Sequence, residues 1–73
     1  MAYVLYGTSH CHLCEQAQAL LAQLGIVAEH QDIVDDDALL ERYGTRIPVL
    51  RRLADGSELG WPFDAQMLRR FCA

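Results

Sequence analysis

The chain contains no lysine, and its six basic residues are all arginines, dispersed apart from the pairs Arg51-Arg52 and Arg69-Arg70. Ten acidic residues bring the net charge to −4. The basic stripe that a nucleic-acid-binding surface requires is missing, so no nucleic-acid partner is expected. No apolar run approaches the roughly 20 residues needed to span a bilayer, so no membrane association is expected either. The first residues show neither the basic n-region nor the apolar h-region of a secretory signal, and the expected location is the cytoplasm. Structural disulfides are uncommon there. Only three cysteines occur in 73 residues, and they suggest chemistry or metal binding at the close pair Cys11 and Cys14, with Cys72 left over.

A chain this short makes one domain, residues 1–73, expected as a monomer. Domains of this size bury roughly 60–65% of the surface their unfolded chains expose, so the core is thin. Hydrophobic residues make up 52%, enough for one layer of helices on each face of a small sheet.

The apolar, aromatic and β-branched run over residues 2–7 predicts a buried strand. From Cys11 to Leu24, Leu13, Ala17, Leu20, Leu21 and Leu24 recur at helical spacing, and Gly25 stands where a helix-ending glycine belongs. Residues 26–33 read as a second, weaker strand. Asp35 or Asp36 then caps a short helix through Tyr43, closed by Gly44; the acids Asp32, Asp35, Asp36 and Asp37 suit its positive end. Residues 48–53 predict a third strand, Asp55-Gly56 a hairpin turn, and Glu58-Leu59-Gly60 the returning strand. Pro62 suits the first turn of a last helix whose buried stripe is Phe63, Met67, Leu68 and Phe71. The order β-α-β-α-β-β-α implies an α/β fold: a four-stranded mixed sheet flanked by three helices, with the first two strands parallel and the last two antiparallel.

Cys11-His12-Leu13-Cys14 sits where the first strand hands over to the first helix. Two sulfurs one turn apart at a helix N-terminus meet backbone N–H groups and a macrodipole that favour a thiolate. Cys11 is the expected nucleophile, its pKa lowered from about 8.5 into the range of roughly 3.5–7.5. Cys14, one turn deeper, would attack the mixed disulfide formed at Cys11 and release reduced substrate. Residues i and i+3 of a helix lie about 5–6 Å apart, within the span of a disulfide. His12, and less directly His10 in the connector, would stabilise the thiolate. Glu15 would disfavour ionisation of Cys14 or relay its proton. Tyr3, Tyr6 and Tyr43 are expected to pack, and Cys72 to act as a small apolar residue near a chain end.

Three elements in this order resemble the thioredoxin fold in its minimal form, and glutaredoxins and glutaredoxin-like proteins most closely. They are the strand–Cys11-x-x-Cys14–helix unit, Ile47-Pro48 before the third strand, and Gly60-Trp61-Pro62-Phe63-Asp64 before the last helix. The resemblance covers nearly the whole chain. It implies a thiol–disulfide oxidoreductase that reduces protein disulfides or glutathione mixed disulfides. It also implies a cis Pro48 facing the sulfurs, and an Ile47 backbone that pairs with extended substrate. Gly60, Trp61, Asp64 and Arg46 are implied as substrate-binding positions, Asp64 for an ammonium and Arg46 for a carboxylate. Electrons would come from glutathione or a thioredoxin-reductase-type flavoenzyme, with no tightly bound cofactor. This chain carries His12 and Leu13 where glutaredoxins have Pro and Tyr, and Trp61 in place of the second glycine of their Gly-Gly pair.

Two rivals stand beside this reading. One is a metal-binding module for zinc or an iron–sulfur cluster, drawing on His10, Cys11, His12, Cys14 and His30, and easiest to build between two chains because adjacent ligands on one turn converge poorly. The other is a non-catalytic interaction domain on the same fold.

Overall fold

The computed structural model describes residues 2–73. Its elements are β1 (Tyr3–Gly7), α1 (His12–Gln23), β2 (Glu29–Asp32), a 3-10 turn (Ile33–Asp35), α2 (Asp37–Tyr43), β3 (Val49–Arg52), β4 (Glu58–Gly60) and α3 (Ala65–Phe71). The sheet order is β2-β1-β3-β4. β1 runs parallel to β2, antiparallel to β3, and β3 pairs antiparallel with β4. This is the minimal thioredoxin fold.

Alternation along β1 divides the core into two layers. Tyr3 and Leu5 join Ala17 and Leu21 of α1, Leu50 of β3, Phe63, and Leu68 of α3. Val4 and Tyr6 join Ile33, Tyr43 of α2, and Val49 on the opposite face. Thus α1 and α3 cover one face of the sheet and α2 the other. Among the described residues no helix is long and apolar enough to cross a membrane.

Helix ends follow the local chemistry. Gly25, at φ +69°, ends α1 in the left-handed conformation; its N–H donates to Ala22 and that of Ile26 to Leu21, the paired bonds of a Schellman motif. Asp36 caps α2 by accepting from the N–H groups of Ala38 and Leu39. Gly44 closes α2 in a right-handed conformation, so its exit is shaped less by the glycine than by the Tyr43 carbonyl, which accepts from Arg46 and Ile47.

Several elements depart from expectation. The second strand shrinks to Glu29–Asp32 because the Schellman turn consumes Ile26 and Asp32 turns to cap the 3-10 turn through the Val34 N–H. Pro62 is not in the last helix: Asp64 is the stronger cap, accepting from the Met67 N–H at 2.9 Å, so α3 starts at Ala65. Met67 is accordingly 41% exposed rather than part of the buried stripe, while Phe63, just before the cap, and Leu68 share one core cluster. Asp55-Gly56 lies in a five-residue loop from Leu53 to Ser57, with Gly56 at φ +73°. Arg52 clamps this loop to α3: it pairs with Asp55 at 3.0 Å, donates to the Phe71 carbonyl and lies over the Phe71 ring. That pairing holds the Asp55 carboxyl well below the usual carboxylate range, the Arg52 hydrogen bond being the largest cause.

Candidate active site

Register sets the site at one end of the sheet. Tyr6, near the end of β1, pairs with Val49 at the start of β3, and Val49 pairs with Gly60 at the end of β4. The segments leaving or entering at that end are therefore Gly7 to Cys11, Ile47-Pro48 and Gly60-Trp61. The Trp61 N–H donates to the Pro48 carbonyl at 3.1 Å and joins the last two. Both the Ile47-Pro48 and Trp61-Pro62 peptides are cis.

Cys11 is the N-cap of α1. Its carbonyl accepts the first helical hydrogen bond, from Glu15, and its Sγ accepts from the Cys14 N–H at 3.2 Å. Cys11 and Cys14 form a disulfide with Cα atoms 5.2 Å apart. Cys11 is half-buried; Cys14 is 1% exposed and packs on β1 at Gly7. A Cβ at Gly7 would stand 3.0 Å from the Cys14 sulfur, so the absence of a side chain there makes room for it. Free Cys72 lies at the C-cap of α3, and its carbonyl accepts from the Tyr3 hydroxyl at 3.4 Å.

The remaining expected site residues divide. The His12 side chain is 86% exposed and its Nδ1 lies 3.7 Å from Glu15 Oε2. His10 is exposed in the connector at φ +59°. Nothing stands within 4 Å of where a Gly60 Cβ would be, leaving open space above β4. Trp61 packs on the core and meets Phe63 edge to face at 5.1 Å. Asp64 is occupied as the α3 cap. Arg46 turns away toward Glu58 Oε1 at 3.3 Å, its guanidinium over the Tyr43 ring. Among the described residues no group of three or more His, Cys, Asp and Glu side chains converges for a metal.

Two groupings were not anticipated. Glu58 draws together Arg42, Arg46 and the Tyr43 hydroxyl. A cavity of about 230 Å³ opens beside Cys14, with Gln18, His30 and Asp32 on its walls. The signal for the second lay in the alternation of β2, because parallel pairing puts His30 beside Leu5 on the α1 face.

The Glu58 carboxyl is held below its ordinary range, first by the Tyr43 hydroxyl and then by Arg46 and Arg42. A carboxylate whose folded pKa is lowered stabilises the fold above its unfolded value of about 4.3, and that contribution disappears as pH falls through the folded value. Glu58→Gln is therefore expected to cost roughly 1.5 kcal/mol or more near neutrality, and the gap from the parent chain to close below about pH 4. Urea midpoints from pH 2.5 to 7 check this; a gap independent of pH would contradict it.

A strand-to-helix cysteine pair, a Pro48 loop and a terminal Gly-x-x-x-Asp on this topology can now be set beside known proteins. The model of the glutaredoxin-like domain (DUF836) matches residues 3–72. The chain belongs to that family. The crystal structure of Northeast Structural Genomics target protein XcR50 from X. campestris is similar, with 46% identity over 96% of this chain and 93% of that one and a TM-score of 0.88. The solution structure of XcR50 gives 48% identity over 99% and 92%, with a TM-score of 0.86. Protein Ne2328 from Nitrosomonas europaea is 29% identical over 96% of this chain and 88% of its own, with a TM-score of 0.82. No curated protein matches this glutaredoxin-like chain.

Proposed function

We propose that this glutaredoxin-like protein is a cytoplasmic thiol–disulfide oxidoreductase that reduces protein disulfides or glutathione mixed disulfides through Cys11 and Cys14. The observation that carries the reading is the Cys14 N–H aimed at Cys11 Sγ at the N-terminus of a twelve-residue helix, with the second sulfur buried one turn behind. A donor already aimed at sulfur costs no reorganisation when that sulfur becomes a thiolate, and the helix dipole adds to it. The Cys11 thiolate attacks a substrate disulfide, one substrate sulfur leaves, and a mixed disulfide forms. Cys14 then attacks Cys11 Sγ and the second substrate sulfur leaves as thiolate. The buried position of Cys14 confines it to this intramolecular step. Ile47, whose N–H is held by the Tyr43 carbonyl, offers its own carbonyl to an extended substrate segment beside Pro48, and Gly60 leaves room for that segment above β4. Arg46, Trp61 and Asp64 border the same end of the sheet.

Alkylation of the reduced protein by iodoacetamide across pH tests the reading. Cys11 is expected to react with a midpoint at least one unit below the 8.5 of an ordinary thiol. A midpoint at 8.5 or above would remove the nucleophile and the function with it. The electron donor is assigned by turnover with glutathione and glutathione reductase, against turnover with thioredoxin reductase.

His12 adjusts the potential. An imidazolium one residue from the thiolate favours the reduced, charged form and makes the disulfide more oxidising. Glu15 offsets part of that charge, so His12→Pro is expected to lower the potential by about 10–30 mV. Equilibration with a glutathione redox buffer reads the shift; an unchanged or higher potential would show that the ring does not act on Cys11.

A further inference from the structure

Resolution of the mixed disulfide requires a buried thiol to lose its proton, and β1 offers no carboxylate or imidazole to take it. β1 reads Tyr-Val-Leu-Tyr-Gly, and the residues on the α1 face beneath Cys14 are Leu5 and Gly7. The cavity beside Cys14 supplies what β1 lacks. It is bounded by Leu5, Gly7 and Cys14, and its polar wall is made by Thr8 and Ser9 of the β1–α1 connector, Gln18 from the next turn of α1, and His30, Gln31 and Asp32 from β2; of these only His30 and Asp32 carry a group that titrates near neutrality or below. Its volume of about 230 Å³ admits several waters, and a thiol, two hydroxyls, two amides, an imidazole and a carboxylate provide the polar partners that waters need. His30 pairs with Leu5 in the parallel ladder, on the α1 side of the sheet, and is itself exposed to solvent.

We infer that His30, acting through water held in this cavity, accepts the proton of Cys14 during the resolving step and passes it to solvent; the inference rests on the function proposed above. As Cys14 Sγ bonds to Cys11 Sγ, its proton moves through water to the imidazole. The bond between Cys11 and the substrate sulfur breaks, and the electron pair leaves on the substrate thiolate. The two cysteines are oxidised to their disulfide and the substrate disulfide is fully reduced. His30 is a positioning residue in this scheme, since it reaches the reacting sulfur only through water. The charged groups that face it are Asp32 on its own strand and Glu15 of α1, which lies along an adjoining cavity that His30 also borders.

Reaction of the reduced protein with 5,5′-dithiobis(2-nitrobenzoate) in a stopped flow separates the steps. The first release of thionitrobenzoate reports attack by Cys11, and the second reports attack by Cys14 on the Cys11 mixed disulfide. In the parent chain the second phase is expected to level off above the range where imidazoles titrate, roughly pH 6–7. In His30→Gln the first phase should be unchanged, and the second should slow about tenfold or more near pH 7. Its rate should then climb steadily with pH, without the break. A variant whose fast first phase is followed by a second phase of parental rate and pH profile would overturn the role of His30 alone. A first phase no faster than that of a free thiol in both proteins would overturn the underlying function as well.

Discussion

Cys11→Ser is expected to abolish disulfide reduction, lowering turnover by about 10³-fold or more, whereas Cys14→Ser leaves a protein that reacts once and stalls. The difference follows from where the two sulfurs lie. Cys11, as the half-buried cap, receives the Cys14 N–H, and a serine hydroxyl there keeps the cap but is no nucleophile near neutral pH. Cys14 is shielded against Gly7 and reaches only Cys11. Without it the mixed disulfide persists until an external thiol attacks. Mass spectrometry after one addition of oxidised glutathione should show a stable adduct of one glutathione on Cys14→Ser and none at Cys14 in Cys11→Ser. Turnover in a coupled glutathione assay should be lost in the first variant. If Cys14→Ser retains it, the donor resolves the adduct directly and the second sulfur is dispensable for that substrate. An adduct at Cys14 in Cys11→Ser would reverse the assignment of nucleophile.

The part of the fold that decides this chemistry was readable because it is local. A strand ending in glycine, two cysteines three apart and an apolar repeat at helical spacing occupy contiguous residues, and the structure keeps them with boundaries moved by a residue or so. Asp36 as a cap and Gly25 as a left-handed stop were readable for the same reason. What the sequence did not show depends on register between distant segments. Arg46 was expected to wait for a ligand carboxylate, but Glu58, twelve residues away, already meets it because the β3–β4 hairpin returns Glu58 to the α2 side of the sheet. Asp64 was open to two readings, a partner for a ligand ammonium or an acid at the start of the last helix, and the structure shows its carboxylate capping α3. His30 stood out in the sequence only as a spare metal ligand; its place beside Cys14 follows from β2 lying parallel to β1, with the cavity between them and α1. Side-chain chemistry that is spent within the protein cannot be told from side-chain chemistry that is free until the partners are placed.

Tyr43 shows how the same distant contacts govern stability, and Tyr43→Ala is expected to be the most disruptive single change outside the cysteines. Its ring is fully buried, stacks on Tyr6 at a centroid distance of 4.4 Å, and lies beneath Arg42 and Arg46. Its hydroxyl donates to Glu58, whose side chain is only 16% exposed. Truncating a buried aromatic ring to alanine costs about 3–5 kcal/mol. A domain of this length has roughly 4–11 kcal/mol in all, so the variant should lose a large share of its stability and about 15 °C or more of its melting midpoint. Tyr43→Phe isolates the hydroxyl: the stacking remains, Glu58 keeps its arginines, and the cost should be only about 1–2 kcal/mol. The two costs can be read from urea unfolding, and equal values would mean that the hydroxyl rather than the ring dominates. The backbone connects this to the site, since the Tyr43 carbonyl holds the N–H groups of Arg46 and Ile47 just before Pro48. Loosening the ring therefore loosens the loop on which substrate would lie, and hydrogen exchange at Arg46 and Ile47 should accelerate in Tyr43→Ala well before exchange in β1 does.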